Sequence, residues 1–174
     1  MLSEKTEQWL STLPTDKIVH IVPFDTTAEQ KYKKVKRLIQ EAFGEEIAVV
    51  HRGSTSLGIS GQDEIDVYVP CKPGDFDTMH EALIAVVGKP RSVLPLQRIR
   101  FELRIDGKRI DFFLSNKEHE DWINGVAFEE ICKKHPKVCS AYDALKQECH
   151  GLTIQDFYRR KAEFIDATLK KYKP

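Results

Sequence analysis

Val49-Val50-His51-Arg52-Gly53-Ser54-Thr55-Ser56 decides how this chain reads, together with Glu64-Ile65-Asp66-Val67-Tyr68-Val69, which begins ten residues after Ser54. The apolar run from Ile47 to Val50 stops at the Gly-Ser-Thr-Ser turn, and a second apolar run opens with carboxylates at alternate positions. The order is strand, loop, strand. Successive side chains of a strand point to opposite faces, so Glu64, Asp66 and Tyr68 share one face while Ile65, Val67 and Val69 face a core. Acids roughly 6.6 Å apart along a strand repel unless a cation lies between them, which makes a divalent ion, Mg²⁺ first, their natural partner. Gly53 lets backbone approach a ligand closely, and Ser54, Thr55 and Ser56 set hydroxyls beside backbone N–H groups, a composition suited to phosphate oxygens. Phosphate and magnesium are therefore expected in one site.

A chain of 174 residues suits one core with at most a small appendage. Its 27 Lys and Arg balance 27 Asp and Glu, so no global field draws it to nucleic acid or to a membrane. A nucleic-acid partner is not expected. Met1-Leu2-Ser3-Glu4-Lys5 does not read as an export signal and no apolar run approaches spanning length, which makes the cytoplasm the expected compartment. Cys71, Cys132, Cys139 and Cys149 form no C-x-x-C pair and are expected as reduced thiols. With His135 and His150 they fit the spacing of no zinc finger or ribbon, so zinc is not expected.

In chain order, Ser3 to Leu13 reads as a short amphipathic helix, a loosely held arm with Trp9 and Leu10 on its apolar side. Ile18 to Val22 is strand-like up to Pro23. Thr26 or Thr27 caps a helix on which Tyr32, Val35, Leu38, Ile39 and Ala42 recur at helical spacing until Gly44. The lysines and Arg37 between positions 31 and 37 read as its solvated face. Asp75 or Asp77 opens another helix that Gly88 ends, and Pro90 and Pro95 bracket a linker. A hairpin follows: Arg98 to Ile105 alternates strictly, Asp106-Gly107 is a tight turn, and Lys108 to Leu114 returns.

With a two-residue turn, Ile105 pairs with Lys108 and Glu102 falls opposite Asp111, on a polar face shared with Arg98, Arg100, Arg104 and Arg109. In isolation that face suits an ion-paired surface. Beside Glu64 and Asp66, however, Asp111 is the third acid a two-metal phosphoryl-transfer site requires, and arginines such as Arg100 suit a triphosphate. His51 reads as holding the loop, and Arg52 as either a phosphate contact or a surface residue. Ser54 is not read as a nucleophile, because no His-Asp relay is indicated around it.

The Gly-Ser pair, the acid-hydrophobic-acid strand and the later acid resemble the nucleotidyltransferase superfamily, which includes DNA polymerase β and kanamycin nucleotidyltransferase. His51-Arg52-Gly53-Ser54-Thr55-Ser56 through Ile65-Asp66-Val67 resembles, more narrowly, its GrpB-like branch. Ile21-Val22-Pro23-Phe24-Asp25 is similar to that family's opening. His135-Pro136-Lys137, Tyr142 to Lys146, Tyr158 to Lys161 and Phe164-Ile165 are similar to its tail. Leu57-Gly58-Ile59-Ser60-Gly61 stands where the family usually has a Val-Pro-Gly turn, and Gln62-Asp63 where it has Lys-Pro. Glu64 and Asp111 supply acids the family often lacks, which favours a complete metal site. The resemblance implies an α+β, nucleotidyltransferase-like mixed β-sheet flanked by helices, with a helical C-terminal extension, and names no substrate.

The last third fits that extension. Trp122, Ile123, Val126, Phe128 and Ile131 suggest one helix, His135-Pro136 a break, and Val138 to Leu145 a second helix ending by Gly151. Thr153 to Asp156 resembles a capping box before the apolar stripe of Phe157, Phe164, Ile165 and Leu169. Lys161 matches a lysine of the family tail and is a candidate phosphate contact. Residues 1–116 are thus expected as the α/β core with its N-terminal arm, and residues 117–174 as the extension packed on it. The expected chemistry is nucleotidyl transfer from a nucleoside triphosphate, ATP by default, to an unidentified hydroxyl of a small or macromolecular acceptor. Glu64, Asp66 and Asp111 would hold Mg²⁺, and Asp111 would take the acceptor's proton. Gly53, Ser54, Thr55, Ser56, Arg52, Arg100 and Lys161 would hold phosphate. The competing expectation is a catalytically silent nucleotide- or protein-binding module on the same fold.

Overall fold

The alternating stretch forms the expected hairpin, and the rest of the sheet is laid beside it. A computed structural model describes Leu2 to Tyr172; Met1, Lys173 and Pro174, the outer ends of the two expected segments, lie outside the described residues. In order the elements are α1 (Glu4–Ser11), α2 (Ala28–Phe43), β1 (Val50–Arg52), α3 (Gly53–Ser56), β2 (Glu64–Cys71), α4 (Phe76–Val87), β3 (Ser92–Leu94), β4 (Arg98–Ile105), β5 (Lys108–Asn116), α5 (Glu120–Lys134), α6 (Pro136–Glu148) and α7 (Ile154–Tyr172). The five strands make one mixed sheet in the order β1-β2-β5-β4-β3, with β2 and β5 parallel and the other neighbours antiparallel. The α+β class expected from the sequence is the one observed.

Asp106 and Gly107 both take positive φ, 50° and 77°, the backbone of a tight two-residue turn. That turn fixes the register: Ile105 pairs with Lys108 and Glu102 with Asp111, as the count predicts. Gly107→Ala is expected to cost about 1–2 kcal/mol, because a Cβ meets nothing within 4 Å and only the left-handed backbone resists it. A urea titration measures this, and an unchanged midpoint would show that the turn relaxes freely.

One sheet face packs on α2 and α4 and forms the main core, in which Val35, Ile39, Ile65, Val67, Leu83 and Phe112 are fully buried. The opposite face carries Glu64, Asp66 and Tyr68 and is roofed by the C-terminal helices. Asp111, Phe113 and Ser115 on that face are therefore buried too, and β5 loses the exposed side that alternation predicts. Phe128, Cys132 and Tyr142 form a separate cluster between α5, α6 and the loop after α3, with Phe164 and Ile165 packed against it.

Several local expectations are corrected. Ile18 to Val22 joins no strand but forms a strap: Ile18 bridges Thr153, Val22 bridges Gly61, and Val19 and Ile21 are buried with Cys149 and Phe157. The strap's pairing is long-range, which local periodicity does not report. Leu38 is 38% exposed and Ala42 is exposed; the buried stripe of α2 runs instead through Ala28, Val35 and Ile39. Thr27 stands at the N-cap of α2 as expected but makes no side-chain cap bond, and its N–H donates to Asp25 Oδ1 at 2.9 Å. Ser92–Leu94, between the two prolines, pairs with β4 as an exposed edge strand. The N-terminal helix is docked rather than loose: Leu10 is fully buried, Arg159 bonds Glu7 at 2.7 Å, and Trp9 meets Tyr158 edge-on at 5.3 Å. On α5, Ile123 is 45% exposed. All four cysteines are free thiols. Among the described residues no helix is long and apolar enough to cross a membrane.

Candidate functional site

β2 and β5 place the acids. Their parallel register sets Asp66 beside Asp111 and Glu64 beside Arg109, so all three carboxylates rise from one face of two adjacent strands. Arg109 holds Glu64 in a short ion pair, while Arg100 Nη2 donates to Asp111 Oδ1 at 3.0 Å. Arg109 Nε lies 3.5 Å from the same Asp111 oxygen. Among the described residues no hydrogen bond holds the Asp66 carboxylate. Burial first, then the charges of Glu64 and Asp111, pushes its carboxyl from an ordinary 3.8 up to about 7. Burial likewise raises Glu64, against the opposing pull of Arg109.

α3 turns the chain against these acids. Gly53 has φ 75°, and a Cβ there would lie 2.1 Å from Asp66 Oδ2, so only glycine lets the loop backbone lie on the carboxylate. The three hydroxyls part company. Ser54 lines a cavity of about 170 Å³ with Glu64, Asp66, Lys146 and Lys161. Thr55 and Ser56, expected at phosphate, are engaged elsewhere: Thr55 Oγ1 lies 2.9 Å from His51 Nε2, and Ser56 donates to Gly53 O at 2.9 Å. His51 holds the loop as expected, stacked on Tyr32 with centroids 4.9 Å apart and with Nδ1 3.3 Å from Glu29. Burial lowers its pKa, which suits a neutral positioning ring.

Arg52 is neither a surface residue nor a free phosphate contact. It is 6% exposed, its Nε donates to Glu129 Oε1 at 3.1 Å, and its guanidinium lies over Trp122 at 4.6 Å. The same Glu129 oxygen accepts from Gly53 N at 2.9 Å, so one loop N–H expected for phosphate is held by α5. α6 clamps the next turn, where Asp143 Oδ1 accepts from Ser60 N at 3.0 Å.

Lys146 is the residue the sequence reading passed over. Only 2% exposed, it donates from Nζ to Ser54 Oγ at 2.5 Å. Burial, with Lys161 nearby, lowers its pKa to about 8. A lysine four residues after buried Tyr142 and three before buried Cys149 sits on an apolar helix face, and that was the available signal. Lys161 enters the same cavity from α7, over the ring of Tyr158 at 5.5 Å. Beside Tyr142 first, and with Asp66 and Glu64 facing it, it stays protonated above its ordinary range. Two ammonium groups and a serine thus face the carboxylates across the cavity. Arg100 and Asp111 line a second cavity on the other side of Glu64.

The donors suit Mg²⁺ in kind: three carboxylates on one face, with Asp66 crowded by like charge and opposed by Lys161 across the cavity. In arrangement, no group of three His, Cys, Asp or Glu residues converges as metal ligands among the described residues. Glu64 and Asp111 are turned to arginines. A rotation of Glu64 off Arg109 is the movement a shared cation would require.

A family model described as GrpB protein matches residues 18–171. The chain belongs to the GrpB family. It is similar to the crystal structure of conserved protein GrpB from Enterococcus faecalis, with a TM-score of 0.64 at 18% identity over 87% of this chain and 98% of that one. That likeness shows the fold. A weaker one, with a TM-score of 0.44 at 13% identity, is to the Cid1 poly(U) polymerase with Mg and 3′-dATP bound; it covers 83% of this chain and 47% of that one. No curated protein sequence matches the chain. The family accounts for the extent of the resemblance from the strap onward, and the elements it spans are those that build the cavity.

Proposed function

We propose that this GrpB-family protein is a Mg²⁺-dependent nucleotidyltransferase that moves a nucleoside monophosphate from a nucleoside triphosphate, ATP by default, to a hydroxyl acceptor. The observation that carries this reading is one cavity with Asp66 and Glu64 on one side and Ser54, Lys146 and Lys161 on the other. Ser54 and the two lysines would hold the outer phosphates, orienting the α-phosphorus toward the acids. Bound at the carboxylates, Mg²⁺ supplies charge neutralisation at the transferring phosphoryl group. The acceptor oxygen bonds the α-phosphorus, the α–β bridging bond breaks, and pyrophosphate leaves toward the lysines. Asp111, which lines the cavity on the far side of Glu64, would take the acceptor's proton.

A second reading has its own support. The arginine pairs on Glu64 and Asp111 make a self-neutralised surface, as a silent binding module would have. A calorimetric titration of Mg²⁺ with a non-hydrolysable ATP analogue separates the two. Under the transferase reading the wild type binds only with metal, and Asp66→Asn weakens binding at least tenfold, about 1.4 kcal/mol. Silence of the wild type toward every nucleoside triphosphate analogue would leave the binding module.

A further inference from the structure

The acids stand between two cavities rather than in one. Glu64 and Gln62 line both; Asp66 opens only on the first, and Asp111 only on the second, of about 240 Å³. The second cavity is closed by the N-terminal strap and by α7, and its cations are Lys17, Arg100 and Arg109. Two of its polar atoms stand out. Arg100 Nε and Arg109 Nε are buried and make no hydrogen bond among the described residues. A buried N–H without an acceptor is a costly thing to keep, on the order of 1–3 kcal/mol, and more beside a formal charge. Both belong to cavity-lining guanidiniums that bond Asp111 and Glu64 through Nη2, and Arg109 Nε also lies 3.5 Å from Asp111 Oδ1, so Arg100 Nε is the donor left with no acceptor nearby.

We propose that this second cavity binds the phosphoryl group of a small phosphorylated hydroxyl compound. Three cations against two carboxylates leave the lining net cationic, which suits an anion, and paired guanidiniums match the geometry of phosphate oxygens. Its volume admits a small molecule and not a folded partner. That this compound is the acceptor rests on the transferase reading; that the cavity takes a phosphoryl group does not. Occupation has a built-in consequence. A phosphate bonded by Arg109 competes with Glu64 for that guanidinium, so it frees the Glu64 carboxylate toward the first cavity and couples the two sites.

The test titrates inorganic phosphate, and separately acetate, into the full chain and follows heat, without nucleotide or metal. Phosphate is expected to bind at least tenfold more tightly than acetate. Arg100→Gln and Lys17→Gln are each expected to weaken it several-fold, while Lys161→Gln reports any phosphate held in the first cavity instead. Lys17 is exposed and forms no ion pair among the described residues, so its variant keeps the test open should Arg100→Gln unfold. Equal affinity for acetate, no saturable phosphate binding, or weakening by Lys161→Gln alone would each overturn the assignment. Phosphate binding in the second cavity with no metal–nucleotide binding in the first would sink the transferase reading while sparing this one.

Discussion

Asp66→Asn is expected to stabilise the metal-free protein by about 2 kcal/mol at pH 8 and by little at pH 4. The sign follows from its carboxyl being raised from 3.8 to about 7 in the folded chain. A raised acid favours the protonated form in the fold, so its contribution to stability is fully present below pH 4 and is lost as pH rises through 7. Each unit of difference is worth about 1.4 kcal/mol, and the partial access of Asp66 to the cavity discounts the full product. Asparagine has the same shape and cannot ionise. Urea midpoints of the two proteins should therefore converge toward pH 4 and separate by pH 8. Parallel curves across that range would show Asp66 to be well solvated, and would remove the crowding argument for a cation at this position.

How much of this was legible beforehand depends on which interactions are local. The hairpin, its register and the acid strand follow from period-two alternation and one Asp-Gly turn, signals contained within a few residues. Placing Asp66 next to Asp111 needed only the further step that both strands lie in one sheet. The strap, the edge strand between the prolines and the docking of α1 depend on partners far along the chain, and periodicity says nothing of them. The loop shows the same divide. The loop's polar residues suggested phosphate ligands, but Thr55 and Ser56 are engaged by His51 and Gly53 and lie off the cavity, while Arg52, which lines it with Ser54, is held by Glu129. Composition names the candidates for a site; tertiary hydrogen bonds decide which of them remain available.

Glu129→Ala is expected to cost about 3 kcal/mol and to loosen the phosphate loop. Its Oε1 takes bonds from both Arg52 Nε and Gly53 N, tying α5 to the end of β1 and the start of α3 in one atom. Truncation leaves the Arg52 guanidinium buried with its ring contacts but no counter-charge, the situation in which breaking a buried pair is most costly, about 3–5 kcal/mol. Water reaching the cavity edge lowers the expectation within that range. Replacing both partners, Arg52→Met with Glu129→Leu, removes the stranded charge and should recover more than half the loss. A double-mutant cycle by urea denaturation measures the coupling, expected to exceed about 1.5 kcal/mol. Loss below about 1 kcal/mol in the single variant would place the pair among ordinary surface contacts, and the loop would then owe its position to His51, Asp143 and Lys146 instead.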